Sequence, residues 1–286
     1  MKKKTRRIVK RLLTAISPKL ETIINYRYSC GEWLCWKDPQ DLNAIICKLK
    51  VTDYYNNPLI TQCVDKYRVR EWVCKNVRGG DSLFPTLYGI YETPEDINWE
   101  ELPDQVVIKC NHGCGMNYII KDKRQIDVSE INKTLLSWLK IDYWKEGEVQ
   151  YRNVEKRIIA EEYLGGGSDL KTIKFFCFNG IPQFLYVSLD EDLYIDYYDM
   201  DFNKLPYSNQ DHKRYPGNIT KPKQFELMKS IASEISCHFP FVRVDLYDSF
   251  GRVYVSELTF VPTGGYMRIE PPEVLKEWGN LYKVNN

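Results

Sequence analysis

The sequence predicts an α+β fold, with a helical N-terminal region followed by antiparallel strand pairs. Three observations carry this reading. Through residues 1 to about 75 the apolar residues recur at helical spacing. Beyond that point, runs that alternate β-branched or aromatic with polar residues come in pairs joined by short, glycine-bearing turns. The last pair, 241–247 and 252–260, alternates throughout and carries charge on one side.

Composition narrows the class. A chain of 286 residues with 43% hydrophobic and 28% charged residues can bury one large core or two to three smaller ones. A net charge of +1 does not call for nucleic acid. The nine cysteines are odd in number and scattered, and no secretory leader precedes them, so free thiols in a reducing cytoplasm are expected. Cys110 and Cys114 flank His112, but no second ligand pair completes a zinc site. The three histidines, 112, 212 and 238, are too scattered for a catalytic triad. No run of about 18 apolar residues exists to cross a membrane. The first 16 residues are strongly basic and turn apolar at Ile8, Leu12, Leu13 and Ile16. Such a helix can lie on the inner, anionic face of a membrane or dock on the body of the protein.

Taken in order, Asp41 to Asp53 reads as a helix started by Pro39 and Asp41. A turn at 53–58 leads to a second helix from about Leu59 to Val77, stopped by Gly79 and Gly80. A strand begins after Pro85 and ends near Tyr91, and a short capped turn follows at Thr93. Residues 105–110 form a strand, 111–117 a loop with Gly113, Cys114 and Gly115, and 118–121 the returning strand. Backbone amides of such a loop can approach phosphates, and Lys109 at the strand end adds a point charge. A plain glycine hairpin is the other reading. Asp127 to Lys140 is helical, and a charged connection follows to about Lys156. Residues 157–164 are a strand ending in Glu161, Glu162 and Tyr163, with glycines at 165–167. Residues 169–180 and 182–189 form a hairpin turning at Asn-Gly. Asp190 to Asp192 and Asp199 to Asp201 carry Asp-x-Asp patterns, which metal-dependent glycosyltransferases use. Residues 222–237 form an amphipathic helix leading into the final hairpin.

In that hairpin Arg243 and Asp245 share a face, as do Glu257 and Thr259. A register that faces Asp245 to Glu257 gathers two carboxylates and one guanidinium. Cations must neutralise such a pair, and Mg²⁺ with oxygen ligands does so most simply. An exposed hairpin with ordinary surface charges is the alternative. Pro262 to Gly265 then makes a backbone-rich loop suited to gripping substrate.

The Arg-x-Asp strand, the Glu-x-Thr strand and the Gly-Gly after them resemble the metal-binding hairpin of the ATP-grasp ligases. The Asp65-Lys66 helix with Arg70, the strand Lys109 before its glycine loop, the Glu161–Glu162 hinge and Lys174 fall in the same order as in that family. Five stretches are similar to the TupA-like, teichuronopeptide-biosynthesis branch, in which Thr259 matches although the wider family carries Asn there. The resemblance covers nearly everything after the first 25 residues. It implies an ATP-grasp fold whose two α/β lobes, 76–164 and 165–286, clamp the nucleotide with antiparallel sheets, after a helical region 1–75. It implies Asp245, Glu257 and Thr259 as metal ligands and Arg243 as the catalytic charge on the transferring phosphoryl group. Arg70, Lys109, Gly113, Cys114, Gly115, Glu161, Glu162, Tyr163 and Lys174 would hold ATP, with the ribose acid left open between Glu161 and Glu162. The implied chemistry is ATP- and Mg²⁺-dependent amide formation between a carboxylate and an amine, in the setting of an amino acid joined to a uronic acid of a cell-surface polysaccharide. The alternatives are a glycosyltransferase built on Asp199 and Asp201, or a non-catalytic ATP-binding partner.

Overall fold

The computed structural model describes residues 3–165, 171–189, 193–249 and 251–284. Five helices come first. Helix α1 (Lys3–Ile16) and α2 (Pro18–Cys30) meet at Ser17, whose extended backbone breaks the helix while its Oγ accepts from the Leu20 N–H at 3.2 Å. Helix α3 (Leu42–Val51) is capped by Asp41, which accepts from the Ala44 N–H at 2.9 Å. The expected helix from Leu59 to Val77 is instead two helices, α4 (Pro58–Val64) and α5 (Arg68–Asn76). Asp65 divides them. Its backbone is extended, and one carboxylate oxygen takes the N–H groups of Tyr67 and Arg68, starting α5 afresh.

The next strands are β1 (Leu87–Tyr91), β2 (Val106–Cys110) and β3 (Asn117–Ile120). Helix α6 (Val128–Leu139) follows, capped by Asp127, and then β4 (Ile158–Glu162). The four strands form an antiparallel sheet in the order β1-β4-β2-β3. Helix α6 lays Ile131 and Leu135 on it, closing a small core with Val106, Ile108, Ile158 and Ala160.

The second sheet is larger. Its strands are β5 (Lys171–Phe178), β6 (Ile181–Leu189) and β7 (Tyr194–Tyr198), later joined by the two strands of the final hairpin. Asn179 and Gly180 turn between β5 and β6 with φ of 47° and 84°, the left-handed pair that a two-residue hairpin requires. After a short strand β8 (Ser208–Asn209) comes helix α7 (Phe225–Ser236). The chain closes with β9 (Phe241–Ser249), β10 (Arg252–Thr259), the short β11 (Ile269–Glu270) paired with β8, and α8 (Val274–Val284). The sheet order is β10-β9-β5-β6-β7, antiparallel throughout.

The two faces of this sheet differ, and the difference locates the site. One face presents Ile173, Phe175, Val242, Val244 and Leu246, all fully buried, and α7 covers it with Phe225 against Phe175. On the other face Phe178 and Phe176 of β5 precede Lys174 in space, and Phe241 of β9 precedes Arg243 and Asp245. Helix α8 covers the apolar end, its Trp278 stacked 4.0 Å from Phe184 and its Tyr282 edge-on to Phe178. The charged end faces the four-stranded sheet and the helical region.

Candidate active site

The pairing of β9 with β10 sets Glu257 opposite Asp245 and Thr259 opposite Arg243. A bulge makes this possible. The register slips between Val255 and Glu257, so Ser256 is the extra residue and Glu257 swings to the face of Asp245. On the other flank Lys174 of β5 lies directly across from Asp245. The side chains close a compact network. Arg243 donates from Nε and Nη2 to the two oxygens of Asp245, each at 2.6 Å. Its Nη2 also lies 3.0 Å from Thr259 Oγ1, which donates to Glu257 Oε1 at 3.1 Å. Lys174 Nζ is 3.8 Å from Asp245 Oδ2. Asp245 is fully buried, and that burial pushes its carboxyl up against the pull of Arg243 and Lys174. Burial also opposes the charge on Glu257, yet Lys66, Arg243 and Lys174 outweigh it and hold that carboxyl at about 2.

Lys66 is the residue sequence reasoning named without giving it a role. It sits at the break between α4 and α5, so its side chain leaves the helical surface and enters the cleft. Nζ donates to the Gly113 carbonyl at 2.7 Å and pairs with Glu257 Oε2 at 3.4 Å. It thereby ties the glycine loop of the first sheet to the charged hairpin of the second. Asn111 fixes the arrangement: its Nδ2 donates to Asp65 and its Oδ1 accepts from the Arg157 N–H. Gly113 cannot be replaced at little cost, since a Cβ there would lie 2.4 Å from Met116 Cε and 2.6 Å from the Tyr143 ring. Cys114, Tyr143 and Glu148 lie close enough to feel the Glu257 charge. Burial, reinforced by Glu257, pushes the Glu148 carboxyl up, while Tyr143 donates to it at 3.2 Å. Glu148 had no sequence signal, lying in a connection read only as charged.

A second cluster lies toward the β4 end. Glu161 accepts from Arg70 Nη2 at 2.8 Å and pairs with Lys109 Nζ. Arg70 also donates to the Pro85 carbonyl at 2.8 Å. Three expected residues thus meet at one place. Tyr247 joins the clusters electrostatically, within the reach of Glu161, Glu257 and Lys174. Glu162 points to the other side of β4, where it accepts from the Thr86 N–H and hydroxyl at 3.0 and 2.8 Å. With Tyr163 it lines an open depression of about 540 Å³ that also includes Asp104, Asp122 and Arg124 and none of the charged hairpin. The side chains of Glu162 and Tyr163 are therefore not brought to the Glu161 cluster.

Other expectations resolve differently. Asp199 accepts from the N–H groups of Asp201 and Asn203 and from Asn203 Nδ2, and so closes its own turn. Asp190 to Asp192 and Gly166 to Ser168 lie outside the described residues. The Pro262–Gly265 loop, read as suited to gripping substrate, packs on α3. Two of its carbonyls accept from α3, Gly264 from Lys50 Nζ at 3.2 Å and Gly265 from Cys47 Sγ at 3.4 Å. Among the described residues no three His, Cys, Asp or Glu side chains group to hold a metal. Two carboxylates and a hydroxyl do fit Mg²⁺, a hard cation that keeps waters and takes its remaining oxygens from phosphates.

Residues 45–283 match the family model described as TupA-like ATPgrasp. Among solved structures, D-alanine–D-alanine ligase from Bacillus anthracis complexed with ATP is 17% identical, with a TM-score of 0.39 over 70% of this chain and 54% of that one. The Helicobacter pylori D-alanine–D-alanine ligase is 12% identical, with a TM-score of 0.43 over 77% and 60%. D-cycloserine synthetase DcsG is 11% identical, with a TM-score of 0.44 over 80% and 72%. The chain spans little more than half the length of the first of these. No curated protein matches it in sequence.

Proposed function

The chain belongs to the TupA-like ATP-grasp family, and from that premise we propose that it is an ATP-dependent carboxylate–amine ligase working through an acyl-phosphate. Its substrates are proposed to be a uronic acid of a cell-surface polysaccharide and an amino acid or other amine. The observation that carries the reading is the bulged pairing of Asp245 with Glu257, flanked by Arg243, Lys174 and Lys66. Anionic and cationic groups are interleaved there on rigid strands, which suits positioning of a triphosphate rather than nucleophilic catalysis.

The roles follow from position. A carboxylate oxygen of the substrate attacks the γ-phosphorus of ATP, the bond to the β-phosphate oxygen breaks, and ADP leaves. The amine then attacks the acyl carbon, the C–N bond forms, phosphate departs, and the amine proton passes to solvent. Asp245, Glu257 and Thr259 would hold Mg²⁺, which when bound neutralises phosphate charge and aligns the transferring group. Arg243 adds positive charge at the phosphoryl group and orients Asp245. Lys174 and Lys109 supply point charges along the phosphates. Arg70 would touch the nucleotide phosphates, Glu161 or Glu162 would face the ribose, and Gly113 to Gly115 would close over the triphosphate by backbone N–H groups. Residues 76–164 and 165–286 act in this reading as the two lobes of the clamp, with 1–75 as the helical region beside it. Cysteines that are all free among the described residues, and the need for ATP, favour a cytoplasmic setting.

The test is ADP release from ATP and Mg²⁺ over a panel of uronic acids crossed with amino acids and amines. ADP formation that needs both substrates, and falls about a hundredfold or more in Asp245→Asn and in Glu257→Gln, is the expected result. ADP release that ignores carboxylate and amine, or survives both substitutions, overturns the reading.

A further inference from the structure

The outer face of the N-terminal hairpin takes no part in the proposed ligase chemistry, and it has the makings of an interface. Every fourth residue from Ile8 to Tyr28 is exposed: Ile8, Leu12, Ile16, Leu20, Ile24 and Tyr28, with Ile16 at 79% and Tyr28 at 69%. The opposite sides of both helices are spent on the body. Arg7 and Arg11 bind Glu146, Thr14 is buried, and α2 turns Glu21, Thr22 and Tyr26 inward. The Arg6 guanidinium lies 3.7 Å from the centre of the Tyr28 ring, so the first turn of α1 sits beside the last turn of α2. The two helices are an antiparallel hairpin, and their outward residues share one side.

A helix of this kind ordinarily buries its apolar stripe and leaves its charged stripe in water. Here the arrangement is inverted. The basic stripe is docked through Glu146, and the apolar stripe faces out.

The charge around the stripe identifies its partner. The first 36 residues hold nine lysines and arginines against two glutamates, while the whole chain has 40 against 39, so the rest of the molecule is net negative. A second copy seated face to face would set one strongly basic patch against another, which opposes a dimer. Aromatic groups border the apolar stripe. Trp33 is 68% exposed beside Arg27, and Lys19 lies 5.0 Å from the Trp36 ring. Apolar side chains, amphipathic rings and a basic rim are what the headgroup boundary of an anionic bilayer accepts. We propose that the α1–α2 hairpin seats this protein peripherally on an anionic lipid surface. No helix among the described residues is long and apolar enough to cross a membrane, so the attachment is to one leaflet.

The experiment is co-sedimentation of the full chain with vesicles of phosphatidylcholine alone and of phosphatidylcholine mixed with phosphatidylglycerol, at low and raised salt. Binding about tenfold or more tighter to the anionic vesicles, and weakened by salt, is expected. The double variant Leu12→Glu, Ile16→Glu loses at least about tenfold of that binding with its circular dichroism unchanged, and Arg6→Glu with Lys19→Glu does the same from the charged side. Equal binding to both vesicle types, no binding at low salt, or wild-type binding by both variants overturns the proposal. So does a concentration-dependent dimer in sedimentation velocity that the Leu12→Glu, Ile16→Glu variant abolishes.

Discussion

His112 shows what single residues do in this site. It stands within the glycine loop at 2% exposure, its Nε2 3.2 Å from the Trp138 carbonyl and its Nδ1 without a hydrogen-bond partner among the described residues. Burial pushes the imidazole down to about 4. The folded protein therefore resists a proton that the unfolded chain accepts near its ordinary value. Stability from this group is complete above pH about 6.5 and drains away as pH falls toward about 4, a loss approaching about 3 kcal/mol. Thermal melts at pH 7.5 and 4.5 should show the drop, and His112→Gln should flatten much of it; equal slopes in both proteins would refute this assignment. At this scale the sequence was partly legible. Asp245 and Glu257 could be grouped through a register that faces the two strands, because strand parity fixes which residues share a face, whereas Lys174 came only from the family resemblance. The partner of Arg70 could not, because Glu161 lies 91 positions away and only the fold brings it near.

Among the elements, the break between α4 and α5 matters most. Helical periodicity runs smoothly through Asp65, and nothing local says that the helix stops there. The cause is tertiary: Asn111 reaches Asp65 from the glycine loop and makes its capping conformation the favoured one. The break sends Lys66 into the cleft, where a continuous helix would have left it on the surface. In Lys66→Met the glycine loop and Glu257 lose their shared cation. ATP-dependent turnover should fall about ten- to a hundredfold in kcat/KM, with little change in melting temperature. Steady-state ADP release against ATP concentration checks this, and wild-type kcat/KM would remove Lys66 from the site. The Ser256 bulge was likewise invisible, although the facing of Asp245 and Glu257 that it permits was foreseen. The Asn179–Gly180 turn was plain, because few other residue pairs accept two consecutive positive φ values.

For the whole molecule, the helical region is held together by a buried ion pair that continues into the loop after β10. Glu21 of α2 and Lys50 of α3 lie 3.8 Å apart with no exposed side-chain surface, and Lys50 continues to Gly264 and the Tyr266 hydroxyl. Removing one partner leaves the other charged and dry. Glu21→Ala should cost roughly 3–5 kcal/mol in denaturant unfolding, and a loss under about 1 kcal/mol would show that water reaches Lys50. The α+β class and the helical start were readable from periodicity. The orientation of the N-terminal hairpin was not, since its docking partner Glu146 belongs to a segment with no pattern of its own. The stitching also bears on how the chain is made. Asn43 exchanges hydrogen bonds with the backbone of Met267, and the Tyr54 hydroxyl donates to the Phe241 carbonyl. These contacts span about two hundred residues, so a ribosome that has finished α3 must synthesise most of the remaining chain before that helix finds its seat. Through that interval the nascent N-terminus carries its apolar ridge uncovered, and a chaperone or a nearby bilayer can engage it before the fold is complete.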